Sequence, residues 1–332
     1  MAPSVAVIGA GVNGVGAALA VQEAVPEVKV TIVAAELTPD TTGDGSAGFW
    51  SPRSIDGDPV QITSWGQRTH DFLHQLWLDG QCPGVGVLPG YDVADQLEVP
   101  YYSAVPFAYE VMSERALREA GHAGKQGHQY VTLYAEPTKM LPFLMERFLA
   151  RGGRVLRAKV ERLDQLAGYD VIVNCSGLGA RDLVGDDKVM PVRGQVVKAA
   201  APAVKAAKFD FPATYVIPND DVVVLGGTAQ RGDWRRQVDP ADTERILAGC
   251  RRWIPSLGAA LTQRVWAGLR PYRRGGVRLE TERRAVAGRL VPVVHNYGHG
   301  GSGVTLFWGC ALDVAELVRR EVAGEARASS KL

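Results

Sequence analysis

Gly9-Ala-Gly-Val-Asn-Gly14 is the tightest constraint on what this chain can fold into. It follows Val5-Ala-Val-Ile8, an apolar run of buried-strand type, and opens an Ala- and Val-rich stretch to about Glu23 that reads as a helix. Val28 to Val33 is a second strand pattern. Strand, glycine turn, helix, strand is the opening of a parallel α/β unit, whose glycines let backbone approach a pyrophosphate at a helix N-terminus. Glu36 lies 22 residues after Gly14, near where a ribose-binding acid falls in such units.

The 332 residues suit two domains better than one. Lys and Arg number 37 against 36 Asp and Glu, so charge makes no case for nucleic acid or an anionic membrane as partner. Cys82, Cys175, Cys250 and Cys310 lack CxxC spacing, which removes the usual reason to expect a zinc site or a disulfide framework. No stretch approaches the roughly 20 apolar residues that a bilayer span needs. The N-terminus has no basic region before its apolar residues, so a soluble protein is expected. Ser330-Lys331-Leu332 reads as an address for the peroxisomal import receptor and predicts a peroxisomal matrix location.

Further along, residues 53–135 look irregular, rich in Gly, Pro and aromatics, with a helix near Ile62–Leu78. A second helix is expected over 137–151, then a strand flanked by Val155 and Val160, and a strongly β run from Tyr169 to Asn174. Val192 to Leu225 reads as β hairpins, and Asp239 to Ile254 as a helix capped by Asp239 or Asp242. The return to α/β pattern after an insertion predicts a nucleotide domain assembled from separated pieces. Val294-His-Asn-Tyr-Gly-His-Gly-Gly-Ser-Gly303 then brings a second strand, glycine loop and helix start, with the helix expected from about Thr305 to Glu321. Free N–H groups at that positive helix end suit a phosphate or the anionic edge of a reduced flavin.

The chain resembles the D-amino-acid oxidase and D-aspartate oxidase family along essentially its whole length. The stretches that carry the resemblance are the Gly9–Gly14 turn, Thr38-Pro-Asp-Thr-Thr42, Ala47-Gly-Phe-Trp-Ser-Pro52 and Val173-Asn-Cys-Ser-Gly-Leu-Gly179. They continue with Pro191-Val-Arg-Gly-Gln195, Tyr215-Val-Ile-Pro218, Gly226-Gly-Thr228, Gly268-Leu-Arg-Pro271, Val277-Arg-Leu-Glu280 and the 294–303 block with Trp308-Gly309. The resemblance implies a mixed α/β fold: a Rossmann-type FAD-binding domain (1–52, 137–190, 265–325) interleaved with an antiparallel-sheet substrate domain (53–136, 191–264). Residues 326–332 are expected to form a tail. It also implies non-covalent FAD, a D-amino acid and molecular oxygen as substrates, hydride transfer from the substrate Cα to flavin N5, and a homodimer.

By the same resemblance Arg278 and Tyr215 would bind the substrate carboxylate and the Gly301 carbonyl would accept from the substrate amine. FAD would contact Gly9, Gly11, Val12, Asn13 and Gly14, and Glu36 at the ribose. Thr41, Thr42, Ala47, Gly48 and Phe49 would lie along its pyrophosphate and isoalloxazine, and Val160 and Ser176 near the adenosine. Gly300, Gly301, Ser302, Gly303, Val304 and Thr305 would follow the pyrimidine edge. His295 and His299 read as structural. Ala229 follows Gly226-Gly-Thr228 where neutral-substrate relatives carry an aromatic residue and aspartate oxidases an arginine. Neutral D-amino acids are therefore the expected substrates, with D-aspartate the alternative if Lys208 or Arg231 reads a second carboxylate.

Overall fold

The computed structural model describes residues 2–210 and 214–329. Ser330-Lys331-Leu332 lies outside the described residues. The first half runs β1 (Ser4–Ile8), α1 (Val12–Ala24), β2 (Lys29–Ala34), α2 (Pro59–Asp79), β3 (Val85–Ala94), β4 (Phe107–Val111), α3 (Glu114–Glu119) and β5 (Gln126–Ala135). Then come α4 (Pro137–Ala150), β6 (Arg154–Arg157), β7 (Val171–Asn174), α5 (Ala180–Leu183), β8 (Val189–Ala200), β9 (Ala207–Asp210), β10 (Thr214–Pro218) and β11 (Val223–Gly226). The last part holds β12 (Gln230–Arg231), α6 (Pro240–Trp253), β13 (Leu261–Arg273), β14 (Arg278–Val286), β15 (Arg289–Tyr297) and α7 (Gly303–Ser329).

Two sheets share the chain. The first has the order β14-β15-β7-β1-β2-β6, parallel except for the antiparallel edge strand β14. Both its faces are covered, as parallel sheets require. On β1, Val5 and Val7 face the core made with α1, α4 and α7, while Ala6 and Ile8 face a second core with Leu163, Ile172 and Val184. Alternating sides explains why the whole strand reads as apolar. Helices α1 and α7 cross closely because Gly16 leaves room for the Phe307 ring; a methyl group there would lie 2.7 Å from Phe307 Cδ2. Gly16→Val is therefore expected to cost about 1–3 kcal/mol by overpacking, read as a lower midpoint in urea.

The second sheet has the order β12-β8-β11-β10-β9-β3-β5-β4, with β13 paired to β8 along its length. Its ladders are antiparallel apart from β3 with β9. Helix α6 covers one face through Ile246 and Cys250 and is capped by Asp239, whose carboxylate accepts from Ala241 N at 3.0 Å.

Three sequence expectations change. Residues 53–135 hold the ordered strands β3, β4 and β5 beside the expected helix. Strand β13 crosses the boundary drawn at 264/265 and stays with the second sheet through Arg273, because its pairing with β8 is continuous apart from one bulge. Helix α7 also runs on through residues 326–329, where the sequence predicts a tail.

Candidate active site

A cavity of about 750 Å³ lies between the two sheets. Its nucleotide end is built at the carboxyl edge of β1, where ligands of open α/β sheets bind. Gly9 has φ +100°, and a side chain there would press into the Cys175 carbonyl; one at Gly14 would overlap the Gly9 carbonyl. Gly11 faces open space and precedes α1 without a side-chain cap, which leaves the first-turn N–H groups of that helix available. Glu36 lines the cavity just past β2. Thr41 and Asp44 fasten the next wall, the carboxylate accepting from Thr41 N at 2.9 Å and Thr41 Oγ1 at 2.7 Å.

The loop from His299 to Gly303 joins this end to the second sheet. A methyl group on Gly303 would lie 3.6 Å from Asn13 Nδ2, and one on Gly301 3.7 Å from Arg270 Cδ. The loop is seated on residues 53 and 54: Ser302 Oγ donates to the Arg53 carbonyl at 2.5 Å and Gly301 N to the Ser54 carbonyl at 3.3 Å. Helix α7 starts here, so two helix N-termini with unused N–H groups border one cavity. Asn13 Oδ1 and His299 Nε2 are buried there without hydrogen-bond partners among the described residues. Burial drives the His299 pKa down to about 3, so its ring is neutral. Orphaned polar atoms, glycine-lined backbone and helix N-termini together fit an FAD.

The other end carries the fixed charges. Arg270, on β13, donates through Nη1 to the Thr228 carbonyl at 2.8 Å, and its charge acts on the Tyr215 hydroxyl in the same cavity. Burial raises the Tyr215 pKa, with Arg270 opposing, so the hydroxyl keeps its proton. Arg53 stacks over the Phe209 ring at 4.7 Å and is held from behind by Asp92 at 2.5 Å. Arg231, lying over Tyr272 at 4.6 Å, and Arg236 also reach the wall. Lys208 does not line the cavity among the described residues, whereas Ala229 does.

Of the residues expected at this site, Gly9, Gly11, Val12, Asn13, Gly14, Glu36, Thr41, Thr42, Ala47, Gly48, Phe49, Val160, Ser176, Tyr215, Gly300, Gly301, Gly303 and Val304 all line the cavity. Three do not. Ser302 is buried beneath the loop on the Arg53 carbonyl, and Thr305 is buried against Ser51, whose N–H and carbonyl it engages at 3.2 Å each. Arg278 begins β14 in the first sheet, where Glu280, Glu282 and Tyr297 hold its guanidinium at 2.7, 2.6 and 3.0 Å. The carboxylate role assigned to Arg278 therefore has no support in its position. Arg270, eight residues earlier in the Gly268-Leu-Arg-Pro271 stretch, is the arginine of this region that lines the cavity among the described residues.

A cavity that fits FAD beside a fixed guanidinium is that of an FAD-dependent oxidoreductase. The FAD dependent oxidoreductase (DAO) family matches residues 4–317, and the chain belongs to it. It is 38% identical to the D-aspartate oxidase of Homo sapiens over 95% of this chain and 94% of that one. It is 39% identical to the D-amino-acid oxidase of Rubrobacter xylanophilus, covering 94% of each. The fold is that of glycine oxidase from Geobacillus kaustophilus, with TM-score 0.76 at 20% identity over 95% and 94% of the two chains.

Proposed function

We propose that this protein is an FAD-dependent oxidase of neutral D-amino acids. It would convert them to imino acids that hydrolyse to 2-oxo acids and ammonia, with molecular oxygen reduced to hydrogen peroxide. The observation that carries the reading is the Arg270–Tyr215 pair facing the same cavity as the Gly301 loop and the Gly9–Gly14 turn.

Bound FAD supplies the two-electron acceptor for the hydride that leaves the substrate Cα. Everything else is positioning. The Arg270 guanidinium, always charged and fork-shaped, holds the α-carboxylate together with the Tyr215 hydroxyl. The Gly301 carbonyl, across the loop, accepts from the amine. Two such fixed points orient Cα, and orientation of this kind is a large part of what a hydride transfer needs. Asp210, a carboxylate lining this end, accepts from Trp253 Nε1 at 2.7 Å, and direct hydride transfer asks no general base of it.

The second reading is a D-aspartate oxidase, and the observation that favours it is the presence of Arg231, Arg236 and Arg53 in the cavity wall. Ala229 favours the first, since it places a methyl group where a second cation is expected for a dicarboxylate. The distinguishing experiment is anaerobic reduction of the purified flavoprotein, followed by loss of its visible absorbance. Faster bleaching by D-alanine than by D-aspartate is expected. The reverse order would install the second reading, and no bleaching by either would remove both. Dimerisation and peroxisomal import through Ser330-Lys331-Leu332 belong to the same proposal. The import half is checked by whether an N-terminal fluorescent fusion loses its punctate location when residues 330–332 are deleted.

A further inference from the structure

Val192 and Gly194 of the Pro191–Gln195 stretch, and Gly227 and Thr228 of Gly226-Gly-Thr228, line the cavity, yet neither stretch has a role in the chemistry above. We propose that they form a cradle that sets the position of Arg270 and Tyr215, with Gly194 and Thr228 as its positioning residues. The inference rests on the reading that Arg270 holds the substrate carboxylate.

Strand β8 pairs with β13 so that Gly194 lies opposite Gly268, two residues before Arg270. Gly268 and Arg270 point to the same face of β13, and the Arg270 side chain crosses diagonally onto Gly194. A methyl group at Gly194 would fall on the guanidinium carbon and both terminal nitrogens of Arg270. The guanidinium therefore rests on bare backbone, and Gly194 is required because of what lies above it. Tyr215 is treated the same way: its ring covers Gly226 and Gly227, where any side chain would collide with it. Both carboxylate-facing side chains thus lie flat on glycine.

Thr228 locks the arrangement. Its hydroxyl accepts from Gln195 N at 2.8 Å and donates to the Arg193 carbonyl at 3.3 Å, straddling Gly194 from the neighbouring turn. Its own carbonyl receives Arg270 Nη1 at 2.8 Å. Alternation sends the flanking side chains the other way. Arg193, fully buried, engages Gln195, Gln230, Asp242 and the carbonyls of Arg235 and Gln237, while Gln195 holds Asp239 and Thr243. The cradle is thereby anchored to the start of α6 through the buried side chains of Arg193, Gln195 and Asp242. A shift of Thr228 would carry its carbonyl, and hence the guanidinium, off the carboxylate.

The test uses the FAD-loaded protein and benzoate, a monocarboxylate with no amine to oxidise, titrated by its perturbation of the flavin spectrum. Thr228→Val keeps the shape and removes the hydroxyl. It is expected to raise the benzoate Kd and the D-alanine KM about tenfold, the weight of one buried hydrogen bond. The FAD Kd should stay within about twofold and Thr228→Ser should restore both values. Gly194→Ala, which displaces the guanidinium itself, is expected to cost about a hundredfold in kcat/KM. A Thr228→Val protein with a lower melting temperature but unchanged benzoate Kd and KM would overturn the proposal, as would a parallel loss of FAD affinity. Arg270→Lys is the control for the underlying reading. If it leaves benzoate binding intact, the carboxylate assignment itself falls; if it weakens binding while Thr228→Val does not, only the cradle falls.

Discussion

Arg270→Ala is expected to lower kcat/KM for every D-amino acid by about 30- to 5,000-fold, while Arg278→Ala stays within about threefold of the parent. The first figure is the 2–5 kcal/mol typical of removing one member of a buried, hydrogen-bonded charge pair from a binding site. Arg270 meets Thr228 and Tyr215 inside the cavity, and its loss would leave the α-carboxylate facing only a neutral hydroxyl. Arg278 is engaged by Glu280, Glu282 and Tyr297 on the far side of a turn, so its loss removes an ion-pair network rather than a ligand contact. Its replacement should show in thermal stability. Steady-state kinetics on both variants decides the matter. Loss of activity confined to Arg278→Ala would refute the site described here.

The second large effect is acid sensitivity. His70, His295 and His299 are buried and neutral, their pKa values held down to about 4, 4 and 3, in each case chiefly by burial. In the unfolded chain each returns to about 6.5. Between these values the unfolded state binds more protons than the folded one, so stability falls as pH drops below 6.5 and is fully present above it. At pH 5 the penalty is about 2 kcal/mol for each histidine, and the three together approach the stability of a typical domain. Melting temperature measured from pH 7.5 to 4.5 should fall steeply below pH 6.5. His70→Phe, which packs against Trp50 and Phe107, should flatten that decline by about a third. A melting temperature that is level from pH 7 to 5 would mean that these rings do not stay neutral in the fold.

How much of this was legible in the sequence follows from local geometry. The Gly9–Gly14 turn was readable because its glycines answer constraints within one βαβ unit, and nearly all the expected cofactor contacts line the cavity. Arg278 was misplaced because eight residues of sequence hide a change of sheet. Arg270 stands on β13 opposite Val192, while Arg278 stands on β14 opposite Tyr297, and the turn between them carries the chain from the second sheet to the first. No periodicity reports such a switch. Strands β3 and β5 were obscured for another reason. Gly86 and Gly90 weaken the strand pattern of β3, but each is covered by an aromatic ring from β5, Tyr134 and Tyr130, which makes good the missing side chain. Ser302 and Thr305 belong to a signature stretch, yet they fasten the loop from beneath.

The position of β15 and α7 bears on how such a protein comes into being. The Gly9–Gly14 turn precedes in sequence the elements that enclose it by nearly 300 residues: β15 lies beside β7, and α7 packs against α1. A nascent chain that has exposed only its opening strands has half a sheet and an uncovered apolar helix, the condition that chaperones recognise. The nucleotide pocket therefore needs β15 and α7 as well as the opening strands before all its walls are present. Fragments cut anywhere between residues 35 and 289 would each lack one wall of the same cavity. For that reason the protein should resist division into a separately expressible nucleotide half and substrate half.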